Sequence, residues 1–179
     1  DDYVYELATA LSKKTISVFI FGSNDYRGKT VNFNNINFYN YFFDINNNKF
    51  TRNLPLLKSL LKGISYVFMH FHILYNVKKL KPQIIHFQWS RIAILDYLFL
   101  FLYPKIPIVY TMHNTTLNHG DASYTNYFNF GFKNFLNKVS SIIVHTKYSK
   151  KKFLDNHQEC KNKVDIIPHG LLKFNENKK

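Results

Sequence analysis

Cysteine is almost absent from the 179-residue sequence, in which Cys160 stands alone. One cysteine cannot form an internal disulfide framework, and it cannot supply the ligand set of a cysteine-based zinc finger. Small secreted scaffolds that depend on disulfides are therefore excluded. A reducing compartment is the simpler expectation for such a chain.

Acidic residues are also scarce, because 11 Asp and Glu stand against 24 Lys and Arg and leave a formal charge of +13. A glycosidase needs two converging carboxylates, and none of the candidates directly follows a predicted strand. Those candidates are Asp96, Asp121, Asp155, Glu159 and Asp165. The sequence also lacks a glycine-rich phosphate loop, a G-x-S-x-G elbow and an H-E-x-x-H motif. These absences argue against glycoside hydrolysis and against the common enzyme classes that carry those motifs.

Long apolar runs are missing as well, since no stretch contains the ~18 uninterrupted apolar residues of a membrane span. The longest candidate, 92–110, is interrupted by Asp96, Pro104, Lys105 and Pro107. The chain begins at Asp1 without an initiator methionine or a signal-peptide pattern. We therefore expect a soluble or membrane-peripheral protein, and we interpret the chain as a fragment of a longer one.

What the sequence does contain predicts an α/β fold. Hydrophobic residues make up 46% of the chain, which is enough for one packed domain. Helical periodicity covers 1–14 and 54–80, and apolar strand patterns cover 15–23 and 36–43. Strands and helices then alternate: strand 83–87, helix 90–103, strand 108–112, helix 126–138, strand 141–145, helix 149–156 and strand 163–167. This order predicts a doubly wound, mostly parallel Rossmann-like sheet with helices on both faces.

The predicted helix 54–80 is amphipathic and basic. Its apolar positions recur at intervals of three and four, at Leu57, Leu60, Leu61, Ile64, Val67, Phe68, Phe71 and Leu74. Between residues 45 and 95 the chain has eight Lys and Arg and no Asp or Glu. We expect this helix to carry a positive patch that could bind an anionic membrane surface.

Ligands of open parallel sheets bind beyond the carboxyl ends of the strands. The residues at these positions are Gln88, Trp89, Ser90, His113, Asn114, Thr146, Pro168, His169 and Gly170. His113 is the strongest candidate, because an imidazole after the strand IVYTM can bond a sugar hydroxyl or stabilise developing charge. The alternative is a histidine that caps the strand edge.

The other histidines and Gly170 favour structural interpretations. We interpret His86 as a satisfied strand imidazole and His169 as structural, and we expect Gly170 to serve a close backbone approach or a positive φ. His70 and His72 lie two positions apart on a helix, so they point to different faces and do not suggest a metal pair.

Four segments occur in the order PQIIHFQW, IPIVYTMHN, VSSIIVHTKYSKKKF and KVDIIPHG. In this order and context they resemble the amino-terminal domain of family 4 glycosyltransferases, retaining enzymes of the two-domain GT-B fold. The resemblance implies an acceptor-binding domain over 1–172 that lacks its first strand and glycine-rich loop, with 173–179 as a tail or the start of a linker. It also implies that a UDP- or GDP-sugar donor binds in a missing carboxyl-terminal domain. The fragment alone is then expected to be inactive, with no cofactor and no metal of its own.

The resemblance also implies roles for single residues. His113 matches the active-site histidine that faces the transferred sugar, which makes it the expected catalytic residue. Substrate contacts are implied for Asn114, Trp89, Ser90, Asn118, Thr146 and Gly170. Gln88 stands where many relatives have a second histidine, and this departure bears on the type of acceptor.

The predicted function is transfer of a hexose from a nucleotide sugar to a glycan or lipid-linked acceptor in cell-surface polysaccharide synthesis, such as lipopolysaccharide or capsule. We expect the protein in the cytoplasm, peripheral on the inner face of the cell membrane. The alternative is a non-catalytic basic Rossmann-like module that binds anionic membrane or nucleic acid. Nucleic acid is the less favoured of these two partners, because the lysine run 147–153 has no aromatic-basic recognition motif beside it. An inactive glycosyltransferase-like scaffold is a third reading.

Overall fold

The computed structural model describes residues 2–22, 35–40, 55–90, 92–113 and 130–170. The chain forms two compact units, one made of 1–75 with 170–179 and the other of 76–169. The tail 173–179 lies outside the described residues. Each unit contains a parallel sheet.

The first unit is built on a two-stranded sheet. Helix α1 (Asp2–Ser12) packs on strands β1 (Val18–Gly22) and β2 (Ile36–Asn40). The two strands are parallel, with Val18 opposite Ile36, and Phe21 stacks on Tyr39 at a ring distance of 5.0 Å. β-Branched and aromatic side chains favour this pairing. The predicted helix and both strands are confirmed in position, while residues 41–43 lie outside the described part of the chain.

Helix α2 (Pro55–Leu80) occurs where the periodicity predicts a helix, but the burial of its side chains is unexpected. An amphipathic helix of a globular protein normally buries its apolar stripe. Here the apolar side chains at 60, 64, 68, 71 and 75 are between 45 and 65% exposed, whereas polar Ser65, His70 and Asn76 are buried. We call this the exposed stripe, formed by Leu60, Ile64, Phe68, Phe71 and Tyr75. None of the helices in the described ranges is long and apolar enough to cross a membrane.

The second unit is built on a four-stranded parallel sheet in the order β3-β4-β5-β6. Its strands are β3 (Ile85–Phe87), β4 (Ile108–Thr111), β5 (Ser141–Val144) and β6 (Val164–Ile166). The connecting helices are α3 (Ala93–Leu100), α4 (Phe132–Lys138) and α5 (Lys147–Asn156), the last followed by a 3-10 helix (Gln158–Lys163). The described strands of both units pair in parallel and are flanked by helices, which confirms the predicted Rossmann-like α/β class.

The predicted helix 126–138 is too long at its start. Helix α4 begins at Phe132, because Gly131 adopts a left-handed conformation with φ of 82° directly before it. A Cβ at Gly131 would lie 2.9 Å from the Cα of Ile94, so this glycine also allows α4 to approach α3 closely. Residues 126–129 lie outside the described residues.

The core of the second unit fixes the orientation of the sheet. Phe135 and Leu136 of α4, Ile142 and Val144 of β5 and Phe153 of α5 are almost completely buried. Alternate residues of β5 thus face the core, as the period of two in a strand requires. This packing holds the ends of the strands, and the residues that follow them, in fixed positions.

Candidate functional site

Polar and aromatic side chains cluster at the carboxyl edge of the four-stranded sheet. Because all strand pairs are parallel, the four strands end at the same edge. The hydrogen-bond ladder of the backbone continues just past the strands. The Met112 N–H donates to the carbonyl of Ile143 at 2.9 Å, and the Ile167 N–H donates to the carbonyl of Val144 at 2.9 Å. These bonds fix the backbone one residue before His113 and two residues before His169.

His113 lies half-buried between an amide and an indole. Its Nε2–H donates to Oε1 of Gln88 at 3.0 Å, and its ring stacks on Trp89 with 4.7 Å between ring centroids and 21° between planes. With Nε2 as the donor, Nδ1 carries the lone pair of the neutral imidazole. The orientation of His113 is therefore set by two residues that follow β3.

The amide of Gln88 also contacts a second histidine, which lies within the sheet. Nε2 of Gln88 lies 3.1 Å from Nε2 of His86, and that histidine nitrogen lies 2.7 Å from Oγ1 of Thr111. Thr111 is fully buried. The interpretation of His86 as a satisfied strand imidazole is confirmed, and the chain of contacts connects His113 to the interior of β4.

Both histidines of this network have lowered pKa values. The pKa of His86 falls from 6.5 to about 4, mainly because of burial and to a smaller extent because of the nearby His113. Burial is also the main cause for His113, whose pKa falls to about 4 with contributions from His145 and His169. At neutral pH both imidazoles are uncharged, so His113 can exchange hydrogen bonds but does not act as a cation.

Two further histidines meet His113 at this edge. His145 follows β5 and is buried, and its Nδ1–H donates to the carbonyl of Ile167 at 2.9 Å. The rings of His145 and His169 stack at 3.6 Å, and the His145 ring lies 5.3 Å from that of His113. Burial, followed by the neighbouring His145, lowers the pKa of His169. Three consecutive strands thus each contribute one imidazole to a single cluster.

Ser90 and Thr146 have structural partners. The Ser90 hydroxyl donates to Oδ2 of the fully buried Asp96 at 2.6 Å. The Thr146 hydroxyl caps α5, because it accepts a bond from the Ser149 N–H at 2.9 Å. The structure therefore brings Trp89 and His113 together, whereas the hydroxyls of Ser90 and Thr146 are engaged locally.

Three predicted site residues remain, Asn114, Asn118 and Gly170. Asn114 and Asn118 lie outside the described residues. A positive φ at Gly170 is wrong, because its φ is not in the left-handed region, and among the described residues no atom lies within 4 Å of where its Cβ would be. His70 and His72 lie on different faces of α2 as expected, since His70 is buried and His72 is exposed.

The sequence interpretation did not include the orienting role of Gln88 or the part that His145 takes in the cluster. A signal for both was present. Each stands at the end of a predicted strand, and residues at the carboxyl ends of neighbouring parallel strands must lie close together. The stacking of His145 on His169 needed the actual register of β5 and β6.

The described residues thus form a Rossmann-like α/β domain whose carboxyl edge carries a histidine cluster, in which Gln88 and Trp89 orient His113. The family model described as Glycosyltransferase Family 4 matches residues 2–171, and the chain belongs to this family. The suspected resemblance is confirmed, and membership supports a glycosyltransferase-type acceptor-binding role and glycosyltransferase activity in general. Among curated proteins, none matches the chain.

Proposed function

We propose that the chain is the acceptor-binding half of a retaining glycosyltransferase that transfers a hexose from a nucleotide sugar to a glycan or lipid-linked acceptor. The observation that carries this proposal is the neutral His113 at the carboxyl edge, held by Gln88 and stacked on Trp89. The acceptor belongs to cell-surface polysaccharide synthesis. The UDP- or GDP-linked donor binds in a carboxyl-terminal domain, and this chain holds no cofactor.

A neutral His113 suits the charge that develops in glycosyl transfer. The transition state of glycosyl cleavage resembles an oxocarbenium ion, so a cationic imidazole at the sugar would oppose it. The Nδ1 lone pair of His113 accepts a hydrogen bond from a sugar hydroxyl in this proposal, while Gln88 keeps the ring oriented. Trp89 is 45% exposed, and its indole offers an apolar surface to the sugar ring.

Replacement of His113 by alanine in the full-length enzyme tests this role. The assay measures transfer from UDP- and GDP-hexoses to a lipid extract of the cells in which the protein naturally occurs. We expect kcat to fall roughly 10²-fold, which is the loss typical of a group that stabilises the transition state. His72→Ala is the matched control, because His72 is an exposed histidine of α2. An unchanged kcat in His113→Ala would remove His113 from the reaction.

A second part of the proposal concerns the membrane. The exposed stripe of α2 ends next to the exposed Lys78 and Lys79, and this combination of apolar and cationic side chains suits an anionic lipid surface. On this basis we propose that the protein lies at the inner face of the cell membrane. In a purely nucleic-acid-binding module, the alternative reading of the net charge, the aromatic side chains of the stripe would stack on bases but the aliphatic Leu60 and Ile64 would have no role.

A further inference from the structure

The proposed function uses His113 but gives no role to His145 and His169. These three residues follow three adjacent strands, β4, β5 and β6, and each can present one ring nitrogen such that all three nitrogens lie within 4.8 Å of one another. His113 is half-buried, His145 is buried and His169 is exposed. The cluster thus opens to solvent on one side and rests on the sheet on the other.

Hydrogen bonds set which nitrogens carry lone pairs. The Nδ1–H of His145 donates to the Ile167 carbonyl at 2.9 Å, which leaves the lone pair on Nε2. The Nε2–H of His113 donates to Gln88 Oε1 at 3.0 Å, which leaves the lone pair on Nδ1. Metal-binding histidines are typically held in this way, with one ring N–H donating to a carbonyl oxygen while the other nitrogen binds the metal.

We propose that His113, His145 and His169 form a binding site for a divalent transition-metal ion, with Zn²⁺ as the best match to the donors. Three neutral imidazoles are ligands for zinc and its neighbours in the first transition row, whereas Mg²⁺ and Ca²⁺ prefer oxygen. Three protein ligands leave a fourth position of a tetrahedral zinc ion for water or another small ligand.

The three side chains must move closer together before they can bind a zinc ion. Zn–N bonds of about 2.0 to 2.1 Å place tetrahedral nitrogen ligands roughly 3.3 Å apart. The present upper separation of 4.8 Å is therefore about 1.5 Å too wide. The His169 ring stacks on that of His145 at 3.6 Å, so binding requires the exposed His169 side chain to rotate out of this stack until its lone pair points at the same ion.

Metal binding would have a consequence for transfer, and this part rests on the proposed function. An ion bound to Nδ1 of His113 removes the lone pair that the sugar hydroxyl would use. We therefore expect Zn²⁺ to inhibit transfer reversibly, with activity restored by a chelator. Binding itself requires neither donor nor acceptor, so it is measured separately from the reaction.

The test is titration of the tag-free full-length protein with Zn²⁺ by calorimetry and with Co²⁺ by visible absorption. We expect one equivalent to bind and the Co²⁺ complex to show the intense bands of tetrahedral coordination. His169→Ala should weaken binding at least tenfold, since loss of even an outer partner typically costs about 10- to 100-fold in metal affinity. His145→Gln should do the same, and His72→Ala should leave the affinity unchanged.

Absence of saturable binding of one equivalent would overturn the proposal, as would an unchanged affinity in His169→Ala. His169 is exposed, so we expect His169→Ala to keep the fold. If His145→Gln unfolds, the metal affinity of His169→Ala alone tests the proposal. Binding without inhibition of transfer would contradict only the assignment of His113 to the sugar. Inhibition without one-equivalent binding at these histidines would contradict only the metal site.

Discussion

At the scale of single residues, His86 and His113 link the candidate site to stability. Each has a pKa of about 4 in the folded protein against 6.5 for an unperturbed imidazole. Between these values the unfolded chain binds more protons than the folded one, so the free energy of unfolding decreases as pH falls from about 6.5 to about 4. Stability that is present above pH 6.5 is therefore lost through this window.

Replacing His86 by glutamine should reduce this pH dependence, because glutamine does not titrate. We expect urea unfolding of the variant, measured between pH 4 and pH 7 with a chelator present, to show a smaller change in unfolding free energy than the wild type. His72→Gln should retain the wild-type profile. A wild-type stability that stays constant across this range would contradict the lowered pKa values.

Ser90 is expected to act on stability through Asp96. Its bond to the buried carboxylate is of the charge-assisted kind, so Ser90→Ala should lower the free energy of unfolding by about 1.5 to 3 kcal/mol. Ser141→Ala is the matched control, because Ser141 makes the same type of bond to Asp165 at an exposed site. That variant should cost less than about 1 kcal/mol. Equal losses of unfolding free energy in the two variants, measured by chemical denaturation, would contradict a larger contribution from the buried hydrogen bond.

At the scale of elements, two glycines should respond oppositely to alanine. Gly131 has φ of 82° and its added Cβ would meet the backbone of Ile94, so Gly131→Ala should destabilise the protein by about 1 to 3 kcal/mol. Gly63 lies inside α2 with open space around its Cβ position, and Gly63→Ala should stabilise by about 0.5 to 1 kcal/mol. Thermal unfolding of both variants checks the signs. A stabilised Gly131→Ala would contradict the close approach of α4 to α3.

The exposed stripe of α2 makes a prediction about membrane binding. Phe68 is 65% exposed, and Phe68→Glu should reduce binding to vesicles with anionic lipid roughly tenfold or more, since burial of a phenylalanine contributes about 1.5 to 3 kcal/mol. The control is Tyr148→Glu, which places the same charge on an equally exposed aromatic position of α5. Binding that is indifferent to lipid charge, or equally reduced by both variants, would contradict the proposal.

The elements show what periodicity can and cannot predict. The recurrence of apolar residues every three or four positions correctly predicts α2. It does not predict which side of the helix packs against the rest of the protein. The exposure of Phe68 and the burial of His70 depend on tertiary packing. In the same way, the start of α4 depends on the left-handed Gly131, which a stretch of helix-compatible residues does not reveal.

At the scale of the whole molecule, the α/β class followed from the sequence because strands and helices alternate regularly after residue 83. That His113 and Trp89 lie together followed from the rule that parallel strands end at one edge, while their role in binding stays a prediction. The side-chain contacts at this edge could not be predicted from the sequence. The hydrogen bond from His113 to Gln88 and the stack of His145 on His169 depend on side-chain rotamers and strand register. The family resemblance was carried by four motifs, and the match over residues 2–171 confirms it.

The net charge of +13 is a property of the whole chain and supports association with anionic partners. It does not discriminate between lipid and nucleic acid. The exposed stripe of α2 favours lipid through the aliphatic Leu60 and Ile64, whereas its aromatic side chains suit both lipid and unstacked bases. The membrane therefore remains the favoured partner in this account.

Product stereochemistry tests the central claim of retaining hexosyl transfer most directly. Full-length protein is incubated with labelled UDP- and GDP-hexoses and a lipid extract of the producing cells, and the anomeric configuration of the product is read by proton NMR. We predict that label enters the lipid or glycan fraction with the configuration of the donor retained, and that His113→Ala forms product about 10²-fold more slowly. An inverted configuration, or no transfer from any of these donors, would contradict the account.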